Sequence, residues 1–308
     1  MALLEGGAFA QERLLDAAGH ILHAYYKCPQ VTSRLRQKAV VVTGEELWPM
    51  LEFIETLQGK LGKEATQNVF FPLYVDYMCF RTAFDQGHPP LVLVLGADLG
   101  KADLGWDCGA CGFATCAEFN RYRKEHGGLG KIGAGPSCAW KNFDYGMACD
   151  YACAAASEMN VENRILGTFG LVSFALGYLD GVTAALALAV GPAVELWWYN
   201  RPSLARWRTA EHIQTLFRSN YTVHYQMFSS DLRPAVKGDG PWWERPREFG
   251  QVAPDPQYEA YKNKIQGAVF EAVLAVRPKV EALKARMEQR SKELASVPQS
   301  DSDKEKAS

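Results

Sequence analysis

Apolar residues recur at helical spacing between Gln11 and Tyr26, at Leu14, Leu15, Ala18, Ile21, Leu22 and Tyr25, and Cys28-Pro29 ends that element. Lys38 to Thr43 reads as a strand. Thr43 followed three residues later by Glu46 has the form of a capping box, opening a helix with an apolar stripe at Leu47, Leu51, Ile54 and Leu57. The aromatic-rich stretch from Phe70 to Phe84 reads as helix. After Pro89-Pro90, Leu91 to Leu95 is a continuous apolar run of strand length, the pattern of a strand buried on both faces. Thr115 to His126 predicts a short helix, with Thr115 as N-cap and Phe119 and Tyr122 turned inward. Asp144 to Met159 predicts an alanine-rich helix, Asn163 to Tyr178 another, and Val182 to Val190 a buried strand. The fold class is α/β or α+β: a small mixed sheet with flanking helices and a cysteine-bearing loop inserted after a core strand.

The pattern changes after Leu204. Residues 205–255 carry Trp207, Trp242 and Trp243 among scattered Pro and Gly with no clear period. Tyr258 to Leu294 then reads as one long helix, apolar at Tyr261, Ile265, Val269, Val273 and Val280, with Pro278 as a point of breakage. This divides the chain into an α/β domain over 1–204, a helical, aromatic-rich extension over 205–294, and a charged tail over 295–308 expected to be disordered. The tryptophans and the long helix either close a second layer over the core or form a docking surface. The second reading is preferred, since the extension lies outside the α/β pattern and large aromatics favour interfaces.

Composition narrows the function classes. The 308 residues are 48% hydrophobic, enough for a sizeable core, and the net charge of −2 lacks the basic footprint of nucleic-acid binding. From Gly170 to Tyr199 only Asp180 and Glu195 are charged, but Gly177, Gly181 and Gly191-Pro192 break the stretch, so buried helix, turn and strand account for it better than a membrane span. The first residues lack a basic region followed by an apolar one, and a cytoplasmic location is expected.

Five of the eight cysteines lie between positions 108 and 149. Cys108, Cys111, Cys116 and Cys138 form the pattern C-x2-C-x4-C-x21-C. Three soft sulfur ligands on one tight loop, plus one distal ligand, is what a cuboidal iron–sulfur cluster requires, and Gly109 and Gly112 let the backbone turn close to it. A structural zinc site is the alternative, although zinc ribbons pair two short knuckles and here the second half is a single cysteine. Gly128-Leu-Gly130-Lys-Ile-Gly133 matches a dinucleotide fingerprint in letters but follows no strand, so a loop returning the chain to Cys138 explains it better. Cys149 and Cys153 stand one helical turn apart and, with Cys28 and Cys79, read as small buried hydrophobes. His20 and His23, one turn apart, are a weak metal signal, and no nucleophile–base pair appears.

Asp107-Cys-Gly-Ala-Cys-Gly-Phe-Ala-Thr-Cys-Ala-Glu-Phe119 resembles the four-iron motif of the corrinoid iron–sulfur protein and related redox subunits. Over about residues 8–204 the chain is similar to the uncharacterised ferredoxin-domain family of anaerobic bacteria and archaea. The matching stretches are Gly135 to Lys141, Asp144 to Ala148 and Ala156 to Arg164, with a weaker echo at Tyr199 to Ser203. The resemblance implies a [4Fe-4S] cluster on Cys108, Cys111, Cys116 and Cys138 and an electron-transfer role in anaerobic metabolism. It departs from the family at Ala24-Tyr-Tyr-Lys-Cys-Pro29, where an Ala-Arg-Thr-Ala-Pro-like segment is expected. The element order is also similar to the nitroreductase-like flavin fold, a likeness of fold that does not by itself imply FMN. A separate reading is an oxidoreductase in its own right, with FMN or a small substrate next to the cluster in a pocket lined by Arg81, Lys141 and Arg164. Against that stands an electron-transfer subunit of a larger complex, docking through residues 205–294; homo-oligomerisation is compatible with both.

Overall fold

A computed structural model describes residues 5–129, 133–192 and 256–296. Its centre is strand β2 (Leu91–Asp98), flanked by β1 (Arg36–Val42) and β6 (Ala184–Val190), with β5 (Asn163–Leu166) on the far side of β6. Every pairing in this four-stranded sheet is antiparallel, so the sheet expected to be mixed is uniform in direction. Alternation along β2 divides the core. Val92 and Val94 face helices α3 (Trp48–Leu61), α5 (Phe71–Asp85) and α8 (Gly167–Leu176), whereas Leu91, Leu93, Leu95 and Ala97 face α2 (Leu14–Lys27) and α7 (Ala139–Glu158). The continuous apolar run is therefore a strand covered by helices on both sides. Leu93, Val94 and Leu95 are fully buried, each worth roughly 1.5–3 kcal/mol of transfer free energy.

Two buried tyrosines clamp the second helical layer to this strand. Tyr25 of α2 donates its hydroxyl to the Gly96 carbonyl, and Tyr145 of α7 donates to that of Leu95, each at 2.8 Å. Asp144, also buried, accepts hydrogen bonds from the Val31 and Thr32 backbone N–H groups and from the Thr32 hydroxyl. It thereby holds the turn that follows Cys28-Pro29, the segment that departs from the resembled family.

Several elements differ from their predicted limits. The first helix breaks at Arg13 into α1 (Gly6–Glu12) and α2. Thr43 makes no side-chain cap: a single 3-10 turn, Gly44–Leu47, intervenes, and α3 starts afresh at Trp48-Pro49, where proline fits because it needs no hydrogen bond. A short helix, α4 (Lys63–Val69), separates α3 from α5. Asn163 to Tyr178 is not one helix. Its first four residues pair with Val190 to Ala187 as β5, because an open edge of β6 outweighs local helix preference. In the other direction, α7 begins at Ala139, five residues before the predicted start.

The last described element, α9 (Pro256–Ser296), runs through Pro278 without ending. Arg277 to Lys279 and Leu274 are exposed, so the carbonyl freed by the proline faces water, while Val276 and Val280 anchor both halves. Ala268, Ala272, Val276 and Val280 belong to the same core as α3 and α8, and Lys279 bonds Glu52 of α3 at 2.5 Å. This part of the C-terminal extension closes a second layer over the domain. The tryptophan-rich stretch and the tail assigned to 295–308 fall, apart from the last turn of α9, outside the described residues. No helix among the described residues is long and apolar enough to cross a membrane.

Candidate metal centre

The cysteine loop leaves the end of β2 and is braced along its length. Leu99 donates its N–H to the Thr183 hydroxyl and accepts the Cys138 N–H at 2.9 Å, so strand end and distal cysteine are joined directly. The Asn120 side chain bonds both backbone groups of Ala102, donating at 2.7 Å and accepting at 2.9 Å. Asp107 adopts a positive φ of 46°, which Asp tolerates better than most residues, and its carboxylate accepts the Cys116 N–H at 2.7 Å. That contact closes the loop from 107 to 116. Inside it, Gly109 and Gly112 have φ of 73° and 85° and form a turn closed by the Gly112 N–H on the Gly109 carbonyl.

Two helices begin at the loop's cysteines. Cys116 is the first residue of α6 (Cys116–His126), behind Thr115, whose hydroxyl accepts the Glu118 N–H while the Glu118 carboxylate accepts the Thr115 N–H. The predicted N-cap is thus a complete capping box. Cys138 is itself the N-cap residue of α7. Both cysteines therefore sit at the positive end of a helix dipole, a favourable place for an anionic group.

All four predicted ligands line one small hollow, together with Ala102, Leu104, Phe113, Thr115 and Trp140. Cys108 is exposed, Cys111 and Cys116 are half-buried, and Cys138 is buried; none is in a disulfide. Ala102, Phe119 and Cys138 form a small core of their own, against which Cys111, Phe113, Cys116 and Trp140 pack. Phe119 faces inward as predicted, but Tyr122 is 45% exposed, lying over Phe113 at the rim. The donor set fits an iron–sulfur cluster: four soft ligands, two helix N-termini and an apolar lining. Among the described residues no three or more His, Cys, Asp or Glu side chains stand close enough to share a single ion.

The remaining candidates disperse. Arg81 lies on α5, paired with Glu55 and Asp85 and stacked over Trp48. Lys141 lies on α7, across the sheet, and Arg164 on edge strand β5, so the three do not form a common pocket. Lys141 is instead 1% exposed and 2.7 Å from Asp103 of the cysteine loop, an ion pair whose approach is too oblique for a directional hydrogen bond. Burial pushes the Asp103 carboxyl up, but Lys141 outweighs it and holds the group below its ordinary value. Cys149 and Cys153 face the interior between α2 and α7, where burial raises their thiols to about 12 and about 11. They and the buried Cys28 and Cys79 are packing groups, consistent with the sequence reading. His20 and His23 are both exposed, their ring centroids 6.4 Å apart. Gly128–Leu129 pairs with Ala134–Gly135 as the small β3–β4 hairpin, and this returns the chain to Cys138; residues 130–132 lie outside the described residues. Sequence reasoning missed the braces Asp103, Asn120, Asp107 and Arg123, whose guanidinium bonds the Ala134 and Pro136 carbonyls. Only Asp107, next to the first cysteine, offered a local signal.

Residues 134–195 match a ferredoxin-domain family. Its description is "Uncharacterized protein containing a ferredoxin domain", and the matched stretch includes Cys138 but not the loop cysteines. The span is narrower than the 8–204 of the resemblance. A curated protein of Archaeoglobus fulgidus, named only as an uncharacterized protein, is 32% identical over 89 residues, covering 29% of this chain. The chain spans about half, 46%, of that relative's length. No solved structure matches the chain. The ferredoxin-domain match agrees with the chemistry of the hollow: iron–sulfur ligation.

Proposed function

We propose that this chain is an iron–sulfur redox protein holding one [4Fe-4S] cluster on Cys108, Cys111, Cys116 and Cys138, and that it serves as an electron-transfer subunit of a larger anaerobic redox assembly. The observation that carries the reading is the convergence of these four cysteines, 30 residues apart at the extremes, on one apolar hollow between two helix N-termini. The cluster would supply one-electron transfer. The chain's own residues exclude water with Phe113, Phe119 and Trp140, keep the loop rigid through Asp107 and Asn120, and leave Cys108 at the surface. Exposed Trp106, Tyr122 and Phe143 rim the same region, which supports electron exchange with a protein docked there; residues 205–294 remain a proposed docking arm. A flavin has no comparable support, because Arg81, Lys141 and Arg164 do not converge.

The test is anaerobic purification followed by iron, sulfide, zinc and flavin analysis, with EPR of the dithionite-reduced protein. About four irons and four sulfides per chain are expected, lost in Cys111→Ser and Cys138→Ser. Stoichiometric zinc without sulfide refutes the cluster, and bound flavin shifts the reading to an oxidoreductase in its own right.

A further inference from the structure

Trp140 stands two residues after Cys138 in the first turn of α7, and its ring lines the hollow beside the four cysteines. Trp106 and Phe143 approach it edge-on, with centroids at 6.1 and 6.3 Å. Its Nε1 is buried and has no hydrogen-bond acceptor. Such a donor is unusual. A buried indole N–H normally finds a partner, and leaving one unpaired costs about 1–3 kcal/mol. The lining supplies little else: it is alanine, leucine, glycine and phenylalanine apart from the sulfurs and the Thr115 hydroxyl, and that hydroxyl is committed to the Glu118 N–H.

We infer that the Trp140 indole N–H donates to a sulfur of the group held in the hollow and so tunes the potential at which electrons enter. The inference rests on the iron–sulfur reading above. An added electron raises the negative charge on the sulfurs, so an N–H donor stabilises the reduced state more than the oxidised one. Removing the donor weakens the affinity for the electron. A tenfold loss is the expected scale, which for a one-electron couple corresponds to about 59 mV. Trp140 is thus a positioning and tuning residue, not a ligand.

The test is an EPR-monitored redox titration of the full chain, comparing wild type with Trp140→Phe, which keeps the ring and removes the N–H, and with Trp106→Phe as an aromatic control. Iron and sulfide are measured on each protein first. The expected result is equal loading, a midpoint about 59 mV more negative in Trp140→Phe, and an unchanged midpoint in Trp106→Phe. Equal midpoints in loaded wild type and Trp140→Phe overturn the role of Trp140 while leaving the cluster reading intact. A wild type lacking iron and sulfide overturns both. Should Trp140→Phe fail to fold or load, Trp106→Phe labelled with 15N-indole tryptophan decides the matter: pulsed EPR is expected to show 15N coupling to the reduced centre, and its absence overturns the inference.

Discussion

The Asp103–Lys141 pair allows the stability of the cysteine loop to be tested quantitatively. Lys141 is enclosed by α7 and the loop, with 1% of its side chain exposed, whereas Asp103 retains 19%. The two single substitutions should therefore be unequal. Asp103→Ala strands an ammonium with neither partner nor water, the situation in which breaking a buried pair costs about 3–5 kcal/mol. Lys141→Met keeps the apolar stem and leaves a carboxylate that is partly open to water, so the loss falls to about 1–3 kcal/mol, the cost of leaving one buried acceptor unpaired. The double variant removes both charges and should lie within about 1 kcal/mol of wild type. Urea unfolding followed by circular dichroism measures all four proteins. With a slope near 3 kcal/mol per molar, Asp103→Ala moves the midpoint down by roughly 1–1.7 M, and adding Lys141→Met recovers most of it. A double variant less stable than Asp103→Ala, or an Asp103→Ala midpoint equal to wild type, refutes the assignment. The pH dependence has a definite sign. Because Lys141 holds the Asp103 carboxyl below its ordinary value, the pair's contribution is complete above about pH 4, the range of a free carboxylate, and is lost as pH falls through the lowered value. The coupling from the cycle should be flat between pH 8 and 5 and decline only in stronger acid.

Other outcomes follow from single contacts. A methyl at Gly170 would lie 2.5 Å from the Ala185 carbonyl oxygen and 2.6 Å from the Leu186 Cα, so Gly170→Ala should force α8 off β6 and cost about 1–3 kcal/mol in the same urea assay. Thr115→Ala removes half of the α6 capping box; a loss of about 1 kcal/mol is expected, together with slower reconstitution with iron and sulfide, read by absorbance. Maleimide labelling of the metal-free protein at pH 8, read by peptide mass, should modify exposed Cys108 well before Cys149 and Cys153, whose thiols are held near 12 and 11. Equal labelling of all three would show that α2 and α7 do not pack as described.

Much of this protein was legible along the chain because its signals are local. The unbroken run Leu91 to Leu95 and the alanine-rich Val182 to Val190 read as buried strands, although the alanines would also tolerate helix, and Leu91 to Ala97 and Ala184 to Val190 became neighbours at the centre of the sheet. The stripe Leu47, Leu51, Ile54, Leu57 set the buried face of α3 without reference to anything it touches. The Thr115 cap and the spacing of three cysteines were equally self-contained, since a capping box and a cluster loop are closed within a few residues.

What the chain alone could not settle depended on partners distant in sequence. Asn163 to Leu166 is a strand only because β6 offers an edge, and Thr43 fails to cap because the chain makes a 3-10 turn before Pro49. Pro278 does not end its helix, because the surrounding core holds Val276 and Val280 and water can take the freed carbonyl. At the candidate metal centre the division is the same. Residue type and spacing named the four sulfurs. Their common hollow, the buried charge at Lys141 and the unpaired indole of Trp140 arise only when the loop after β2 is folded against the start of α7, because burial and hydrogen-bond satisfaction are properties of the packed chain and not of any short stretch of it.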